Sequence, residues 1–319
     1  MRTQRRHLFG GGFLALTLIS GACGDDDSPV RSDAQPSAST TAVTAPPRPT
    51  FAPGTTMAAI QARGKLVVGT RLDLTGFGLK TPSGAMEGFD VEIAKQSAVG
   101  IFGGTPADVV VKIEFTDSVM GTREASIKDG MVDFAIAAYR ITDAAKQQVD
   151  FAGPYFMAGQ DLLVRSGETS IKGFSDLAGK RVCSSRATGT AVANVRAKAP
   201  DAESIPMDTT PQCADALTAG QVDAVASVNT SLLGPLEKSA GAIKLVGNPS
   251  TEEPSGIGVK RGDDAFRAFI NDRLEKLYAG GQWAAAYAST LGKFGWKTPT
   301  PPPVDRYVTG SAVTTTSRP

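Results

Sequence analysis

Two segments of this chain share one pattern, and that internal repeat constrains the fold more than any other feature. Residues 124–137 read EASIKDGMVDFAIA and residues 214–227 read ADALTAGQVDAVAS, at an offset of 90 residues. Each combines a helical stretch, a glycine (Gly130 or Gly220), a Val-Asp pair and a short apolar strand. The repeat predicts two α/β lobes of the same design, whose strand ends line a ligand cleft. A chance match over so short a stretch is the alternative.

The rest of the body alternates short apolar strands with helical stretches, which is typical of α/β architecture. A helix over residues 266–278 is predicted from apolar spacing and ends at Gly280-Gly281. The other predicted elements are the strands Lys65–Gly69, Val109–Phe115, Val132–Ala137, Leu162–Val164, Arg181–Val182 and Val222–Ala226, and the helices Phe89–Val99 and Arg123–Lys128.

The first 22 residues have the pattern of an export signal. Three arginines precede the apolar stretch Phe13–Ile19, and small residues then lead to Cys23. The apolar stretch is too short to span a bilayer. The pattern predicts that residues 1–22 are removed and that Cys23 carries a lipid anchor. An ordinary secretory leader with an incidental cysteine is the alternative.

Segments rich in Pro, Ser and Thr lie on both sides of the predicted folded body. Residues 23–56 contain six prolines and almost no large apolar side chain, and residues 298–319 have a similar composition. Such stretches bury too little apolar surface to offset the entropy lost on ordering. We therefore expect a disordered linker over residues 23–56, a folded domain over residues 57–297 and a disordered tail over residues 298–319.

The composition excludes several functional classes. The chain has 33 Lys and Arg against 32 Asp and Glu, a balance that argues against a nucleic-acid partner. Its single histidine, His7, lies in the predicted leader. A mature chain without histidine cannot build a Ser-His-Asp triad or a His-ligated zinc site. We predict no catalytic residue, no metal site and no cofactor.

Cys183 and Cys213 are the cysteines that remain after lipidation of Cys23. An exported chain encounters oxidising conditions, so a disulfide between them is predicted. Two buried free thiols or a metal site are the alternatives, although two thiols without histidine make a poor metal site.

Six strings of residues occur in an order that marks a known family. They are GKLVVGTRLD (Gly64–Asp73), MEGFDVEIAK (Met86–Lys95), GMVDFAIAAYRIT (Gly130–Thr142), QQVDFAGPY (Gln147–Tyr155), DLAGKRV (Asp176–Val182) and FINDRLEKLYAGGQW (Phe269–Trp283). With them the chain resembles family 3 of the extracellular solute-binding proteins, the polar amino-acid receptors of ABC importers. The resemblance covers residues 60–296 and implies an α/β fold, a two-lobed clamshell of the periplasmic-binding-protein-like type II. The first lobe would comprise about residues 57–158 and 250–297, and the second about residues 159–249.

Within this family the chain is most similar to receptors of the glutamate/aspartate type, through Arg71 and the pair Cys183 and Cys213. The resemblance implies a lipid-anchored, extracytoplasmic monomer that captures a small polar solute, either glutamate, aspartate or one of their amides. The partner would be an ABC permease in the membrane. One alternative is a ligand-sensing lipoprotein with a membrane signalling partner, and another is a dehydratase-type enzyme on the same fold. We predict that the chain is not an enzyme.

The resemblance also assigns residues to the ligand cleft. Arg71 and Arg123 match arginines that contact the side-chain carboxylate of the ligand, although solvated surface arginines are the alternative. Phe77 matches the aromatic that lies against the ligand's carbon skeleton, with a core or lid residue as the alternative. The loop of Thr188 and Thr190 matches the site for the α-carboxylate, and a simple helix N-cap is its alternative.

Two charged groups of the family pattern are missing from this sequence. Ala145 stands where Ile-Thr-x-x-Arg would supply the arginine for the α-carboxylate, and Val228-Asn229 stands where the acid for the α-ammonium is expected. A buried zwitterion would then lack both counter-charges, at a cost of several kcal/mol.

Nearby residues offer replacements for the missing groups. Arg140, two residues before Thr142, is expected to bind the α-carboxylate, and Asp73 is expected to take the ammonium from the opposite lobe. Thr142 and Asn229 are the polar side chains left at the altered positions and are predicted to contact the ligand. The competing hypothesis is a ligand that is not an α-amino acid.

Overall fold

The structure, a computed structural model, describes residues 48–186 and 190–306. The predicted leader, Cys23, most of the linker, Thr188 and most of the tail lie outside the described residues. Within the described ranges, no helix combines the length and the apolar character needed to cross a membrane.

The strands form two five-stranded sheets and one small sheet. In chain order they are β1 (Leu66–Thr70), β2 (Asp73–Leu74), β3 (Gly78–Lys80), β4 (Met86–Glu87), β5 (Ile113–Asp117), β6 (Phe134–Ala135), β7 (Asp150–Ala158), β8 (Gln160–Arg165), β9 (Arg181–Ser185), β10 (Glu203–Met207), β11 (Ala224–Val228), β12 (Ile243–Leu245) and β13 (Glu253–Val259). The first sheet has the order β5-β1-β6-β13-β7 and the second has the order β10-β9-β11-β8-β12, while β2, β3 and β4 form the third.

Helices connect and cover these strands. In chain order they are α1 (Thr56–Arg63), α2 (Phe89–Phe102), α3 (Pro106–Val109), α4 (Arg123–Lys128), α5 (Asp143–Lys146), α6 (Thr190–Lys198), α7 (Thr210–Thr218), α8 (Asn229–Lys238), α9 (Asp264–Ala279) and α10 (Gln282–Thr290), with short 3-10 turns at Val110–Lys112, Phe174–Leu177 and Gly292–Phe294.

The two large sheets have the same layout. In the first, β1 pairs in parallel with β5 and β6, and β13 runs antiparallel to β6 and β7. In the second, β9 pairs in parallel with β10 and β11, and β8 runs antiparallel to β11 and β12. The two segments of the sequence repeat supply the corresponding central strands β6 and β11.

The aspartates of the two Val-Asp pairs make the same hydrogen bonds to a neighbouring strand in both sheets. Asp133 accepts a hydrogen bond from the Val67 amide at 2.7 Å, and its own amide donates to the Val67 carbonyl at 2.8 Å. Asp223 makes the matching pair of bonds with Arg181, at 3.0 and 2.8 Å. Each aspartate thus fixes the register of two parallel strands at their start, which explains why the same dipeptide recurs.

The chain crosses between the sheets twice, and the crossings touch. Gly159 alone separates β7 from β8, and residues 246–252 lead from β12 back to β13. A Cβ atom on Gly159 would lie 2.3 Å from the Thr251 carbonyl oxygen, so only glycine permits this approach. Asn229 is hydrogen-bonded to the same crossing. Its backbone amide donates to the Gly159 carbonyl, and its side-chain Oδ1 accepts from the Gly159 amide.

The core of the first sheet is built around aromatic rings. Phe77, Phe89 and Trp283 are fully buried, and the Phe77 ring lies 5.0 Å from that of Phe156 in an edge-to-face contact. Phe77 was predicted to lie against a ligand. In this structure Phe77 is buried in the core, which agrees with the alternative given for it, and its contact with a ligand stays a prediction.

The predicted strand Val109–Phe115 is wrong in its first half. Thr105 and Asp108 form a capping box that begins a helical turn at Pro106, and the turn continues through Val110–Lys112 before β5 begins. The predicted strand of the first repeat segment, Val132–Ala137, is likewise shorter in the structure, where only Phe134–Ala135 forms a strand.

The predicted disulfide is confirmed. Cys183 in β9 and Cys213 in α7 are bonded, with their Cα atoms 5.5 Å apart and both residues fully buried. The bond ties the second sheet to the helix of the second repeat segment.

Candidate ligand-binding site

A pocket of about 430 Å³ lies where the ends of the central strands of both sheets meet the crossings. We call it the arginine pocket because three arginines line it, namely Arg71, Arg123 and Arg140. The first sheet and its loops supply most of the wall, and Val228, Thr230 and Ser231 of the second lobe supply the rest.

Arg123 is the most deeply buried of the three arginines. Arg123 is the first residue of α4, and only 7% of its surface is exposed. Its guanidinium donates from Nε to the Ser118 hydroxyl at 3.1 Å and from Nη2 to the Ser118 carbonyl at 2.7 Å. No carboxylate of the described chain forms an ion pair with Arg123. Burial lowers the pKa of Arg123 from its usual value, because removing the guanidinium from water disfavours its charged form.

An aromatic ring supports the buried Arg123 cation. The guanidinium carbon lies 4.5 Å from the centroid of the Tyr139 ring. The Tyr139 hydroxyl donates to Glu124 Oε1 at 2.6 Å, and burial together with this bond raises the pKa of Tyr139 well above its usual value. Tyr139 and Glu124 both line the pocket and were missed from the sequence, although Tyr139 directly follows the repeated strand.

Arg71 follows β1 as predicted, but its charge is already matched. Its Nε and Nη2 atoms donate to the two carboxylate oxygens of Asp73, each at 2.8 Å. Hydrogen bonding to Arg71 lowers the pKa of Asp73 below its usual value, despite partial burial that acts the other way. In this structure the Asp73 carboxylate is bound to Arg71 and does not line the arginine pocket, and its contact with a ligand ammonium stays a prediction.

Arg140 also has a carboxylate partner. Its Nη1 atom lies 2.9 Å from Glu253 Oε2, and the side chains are 39% and 12% exposed. Both line the arginine pocket. Glu253 was missed from the sequence because it is the first residue of β13, at the end of a polar run, and no local pattern distinguishes it.

The positions where the sequence lacks the family's charged residues lie at the arginine pocket. Ala145 and Val228 both line the arginine pocket. Thr142 lines it as well and caps α5, accepting a hydrogen bond from the Ala145 amide at 3.1 Å. Asn229 does not line the pocket in this structure, where its Oδ1 accepts a hydrogen bond from the Gly159 amide, and its ligand contact stays a prediction.

Leu74, and not Phe77, is the apolar side chain of this loop that lines the arginine pocket. Leu74 lies three residues earlier, at the end of β2, and lines the arginine pocket. Thr190 is exposed at the first residue of α6 and does not line it. Thr188, predicted in the same loop, lies outside the described residues.

A buried carboxylate shapes the backbone of the pocket. Asp90 is fully buried at the start of α2, where its oxygens accept from the Tyr155 hydroxyl at 2.5 Å and from the Ala138 amide at 2.9 Å. Ala138 lines the pocket with a φ of +45°, which is unfavourable for a residue with a side chain. Asp90 thus helps to hold a strained turn in the wall of the arginine pocket.

A second pocket of about 860 Å³ adjoins the first, and we call it the α7–α8 pocket. Arg71, Leu74, Thr230 and Ser231 line both pockets. The α7–α8 pocket is larger, but it contains neither Arg123 nor the Arg140–Glu253 pair. The convergence of charged groups therefore favours the arginine pocket as the ligand site.

Comparison with curated proteins identifies amino-acid receptors. The chain is 37% identical over 234 residues to the ABC transporter glutamine-binding protein GlnH of Bacillus subtilis, covering 73% of this chain and 83% of that protein. It is 33% identical over 242 residues to the glutamate-binding protein GluB of Corynebacterium glutamicum, covering 74% of this chain and 81% of that protein. These relatives are solute-binding proteins and not enzymes.

A solved structure of an amino-acid-binding protein has a similar fold. An ancestral arginine-binding protein bound to glutamine is 32% identical, with a TM-score of 0.55, and the match covers 72% of this chain and 99% of that one. The predicted α/β, two-lobed fold class is confirmed. The family model of the bacterial extracellular solute-binding proteins, family 3, matches residues 66–293, and the chain belongs to that family.

Proposed function

We propose that this protein captures an amino acid with an acidic or amide side chain, namely glutamate, aspartate, glutamine or asparagine, in the arginine pocket. It hands this ligand to the permease of an ABC importer. The lobes that close on the ligand are residues 57–158 with 250–297 and residues 159–249. A lipid on Cys23 holds the protein, as a monomer, at the outer face of the membrane after removal of residues 1–22.

The observation that carries this proposal is the state of Arg123. A buried arginine ordinarily has a carboxylate partner, because an unpaired buried charge is costly, and Arg123 is only 7% exposed. Arg71 and Arg140 have such partners, whereas the bonds of Arg123 go to Ser118 and its ring contact goes to Tyr139. The pocket therefore contains one cation whose counter-charge is left for a ligand. A side-chain carboxylate supplies this charge, and a side-chain amide oxygen, although neutral, accepts a charge-assisted hydrogen bond from the guanidinium.

The relatives support the same class of ligand. One is named for glutamine and another for glutamate, and each matches this chain over more than four fifths of its own length. The two ligands share a carbon chain and differ only in the terminal group that Arg123 would meet.

A binding screen tests the proposal. The exported chain, purified with Cys23→Ala to keep it free of lipid, is screened with the twenty common amino acids by thermal shift and then by titration calorimetry. We expect glutamate, glutamine, aspartate or asparagine to give the largest stabilisation. No stabilisation by any amino acid would refute the proposal.

A matched pair of variants tests the role of Arg123. Removing one partner of a buried charged interaction costs about 2 kcal/mol or more, so Arg123→Met is expected to weaken binding at least about thirtyfold. Arg196→Met removes an exposed arginine in α6 and is expected to leave the affinity unchanged. Equal affinities of the two variants would exclude Arg123 from the site.

A further inference from the structure

The Arg140–Glu253 ion pair lies in the pocket where the sequence lacks both of the family's charged groups. Arg140 Nη1 and Glu253 Oε2 are 2.9 Å apart, and both residues line the arginine pocket. Ala145, which replaces the expected arginine, lines the same pocket. The pocket therefore has a cation and an anion side by side, although neither is at the position that the family pattern gives.

The backbone fixes these two residues next to each other. Arg140 forms an isolated antiparallel bridge with Ser255. The Ile141 amide donates to the Pro254 carbonyl at 2.8 Å, and the Gly256 amide donates to the Tyr139 carbonyl at 2.9 Å. The loop that carries Arg140 is thus an extension of the sheet beside β13, and the contact with Glu253 is built into the fold.

The two oxygens of Glu253 have different surroundings. Oε1 accepts from Gln160 Nε2 at 2.9 Å and from the Thr251 hydroxyl at 3.2 Å. Oε2 has Arg140 as its partner. The first oxygen therefore anchors the carboxylate without Arg140, so the second can exchange its partner while the side chain stays in place.

A second carboxylate lines the pocket, but it is at the other cation. Glu124 directly follows Arg123 in the chain and accepts a hydrogen bond from Tyr139. Among the described residues that line the pocket, Glu124 and Glu253 are the acidic ones. Glu124 is held by Tyr139, whose ring packs on the Arg123 guanidinium, at the end of the pocket proposed for the ligand side chain. Glu253 is the pocket carboxylate at the other end, next to Arg140.

We propose that the Arg140–Glu253 pair is the subsite for the ligand's α-amino and α-carboxylate groups. This inference rests on the proposed function. The ligand separates the pair, its carboxylate binds the Arg140 guanidinium and its ammonium binds Glu253 Oε2. One ion pair is replaced by two, so no unpaired charge is buried in either state. Ser255, whose buried hydroxyl has no partner in the described chain, lines the pocket beside Glu253 and offers a further hydrogen bond.

The test combines a change in the protein with a change in the ligand. The protein without its lipid, Glu253→Gln and Glu252→Gln are each titrated with L-glutamate and glutarate, and with L-glutamine and glutaramate. Glutarate and glutaramate lack only the ammonium group. Glu252→Gln is the matched control, because Glu252 is the adjacent carboxylate and is exposed.

We expect the unaltered protein and Glu252→Gln to prefer each amino acid over its deaminated analogue by at least about thirtyfold. Glu253→Gln is expected to bind the deaminated analogues as the unaltered protein does, which shows that it is folded, and to lose most of the preference. The effect of the protein change then depends on the presence of the ligand's ammonium.

Two results would overturn the inference alone. Either the preference survives in Glu253→Gln, or that variant binds all four ligands equally more weakly, as expected of a purely structural role. If the unaltered protein binds none of the four ligands and no other member of the amino-acid screen, the proposed function fails, and this inference fails with it.

Discussion

The buried Asp90 carboxylate predicts how the stability of this protein varies with pH. Burial raises the pKa of Asp90 to about 6, although hydrogen bonds from Tyr155 and the Ala138 amide oppose the increase. In the unfolded chain the pKa of an aspartate is about 4. Between these values the folded state binds more protons than the unfolded state, so the free energy of unfolding falls as pH rises from about 4 to about 6. The loss amounts to about 3 kcal/mol, since each factor of ten in proton affinity corresponds to about 1.4 kcal/mol.

Asp90→Asn removes this charge and keeps the local hydrogen bonds available. The amide oxygen can accept from the Ala138 amide, and the amide nitrogen can donate to the Tyr155 hydroxyl oxygen. We expect the variant and the unaltered protein to have similar free energies of unfolding at pH 4. At pH 7.5 the variant is expected to be more stable by up to about 3 kcal/mol.

The assay is urea denaturation of both proteins at a series of pH values, followed by circular dichroism. The difference between the two proteins isolates Asp90 from other titrating groups. Tyr155→Phe is a second test, because loss of the 2.5 Å hydrogen bond to Asp90 raises its pKa further and moves the transition to higher pH. A stability difference that stays constant from pH 4 to pH 7.5 would refute the reasoning.

Two further predictions concern stability. The Cys183–Cys213 disulfide closes a loop of 30 residues, and its reduction is expected to lower the free energy of unfolding by about 3–4 kcal/mol. Urea denaturation with and without dithiothreitol measures this change. Cys213→Ser is expected to have the stability of the reduced protein, with or without dithiothreitol. Gly159→Ala places a Cβ 2.3 Å from the Thr251 carbonyl oxygen and is expected to cost about 1–3 kcal/mol in the same assay. Gly167→Ala, with open space around it, is the control and should change stability by less than about 0.5 kcal/mol; equal losses in the two glycine variants would contradict the proposed close packing of the crossings.

The sequence predicted the elements whose signals are local. The helix Arg123–Lys128 has the predicted bounds. The helix predicted over Phe89–Val99 begins at the predicted residue and continues three residues further, to Phe102. The strands β7 and β13 were missed because Pro154 in one and Pro254 in the other interrupt the apolar pattern that would indicate a strand. Both become strands because they pair with each other along most of their length, and such long-range pairing leaves no local signal.

The candidate site shows the same limit. Arg71 and Arg123 were predicted from the family resemblance and Arg140 from its position near Thr142, and the structure places all three around one pocket. Glu253 could not be predicted in the same way, because it reaches Arg140 across 113 residues of chain. The burial of Phe77 and the placing of Leu74 at the pocket were likewise not predictable, since the register of β2 against β3 decides which side chain of that loop faces the core.

The charges of the arginine pocket are distributed unequally between the lobes. Among the described residues that line it, Arg71, Arg123, Arg140, Glu124 and Glu253 all belong to the first sheet or its loops, whereas the second lobe supplies Val228, Thr230 and Ser231. Under the proposed function, a charged ligand would pair its charges on the first lobe before the lobes close. Closure would then bury paired charges under neutral groups, which avoids the cost of desolvating an unpaired ion. The repeat gives the two lobes one architecture, and the proposed function gives them different roles in binding.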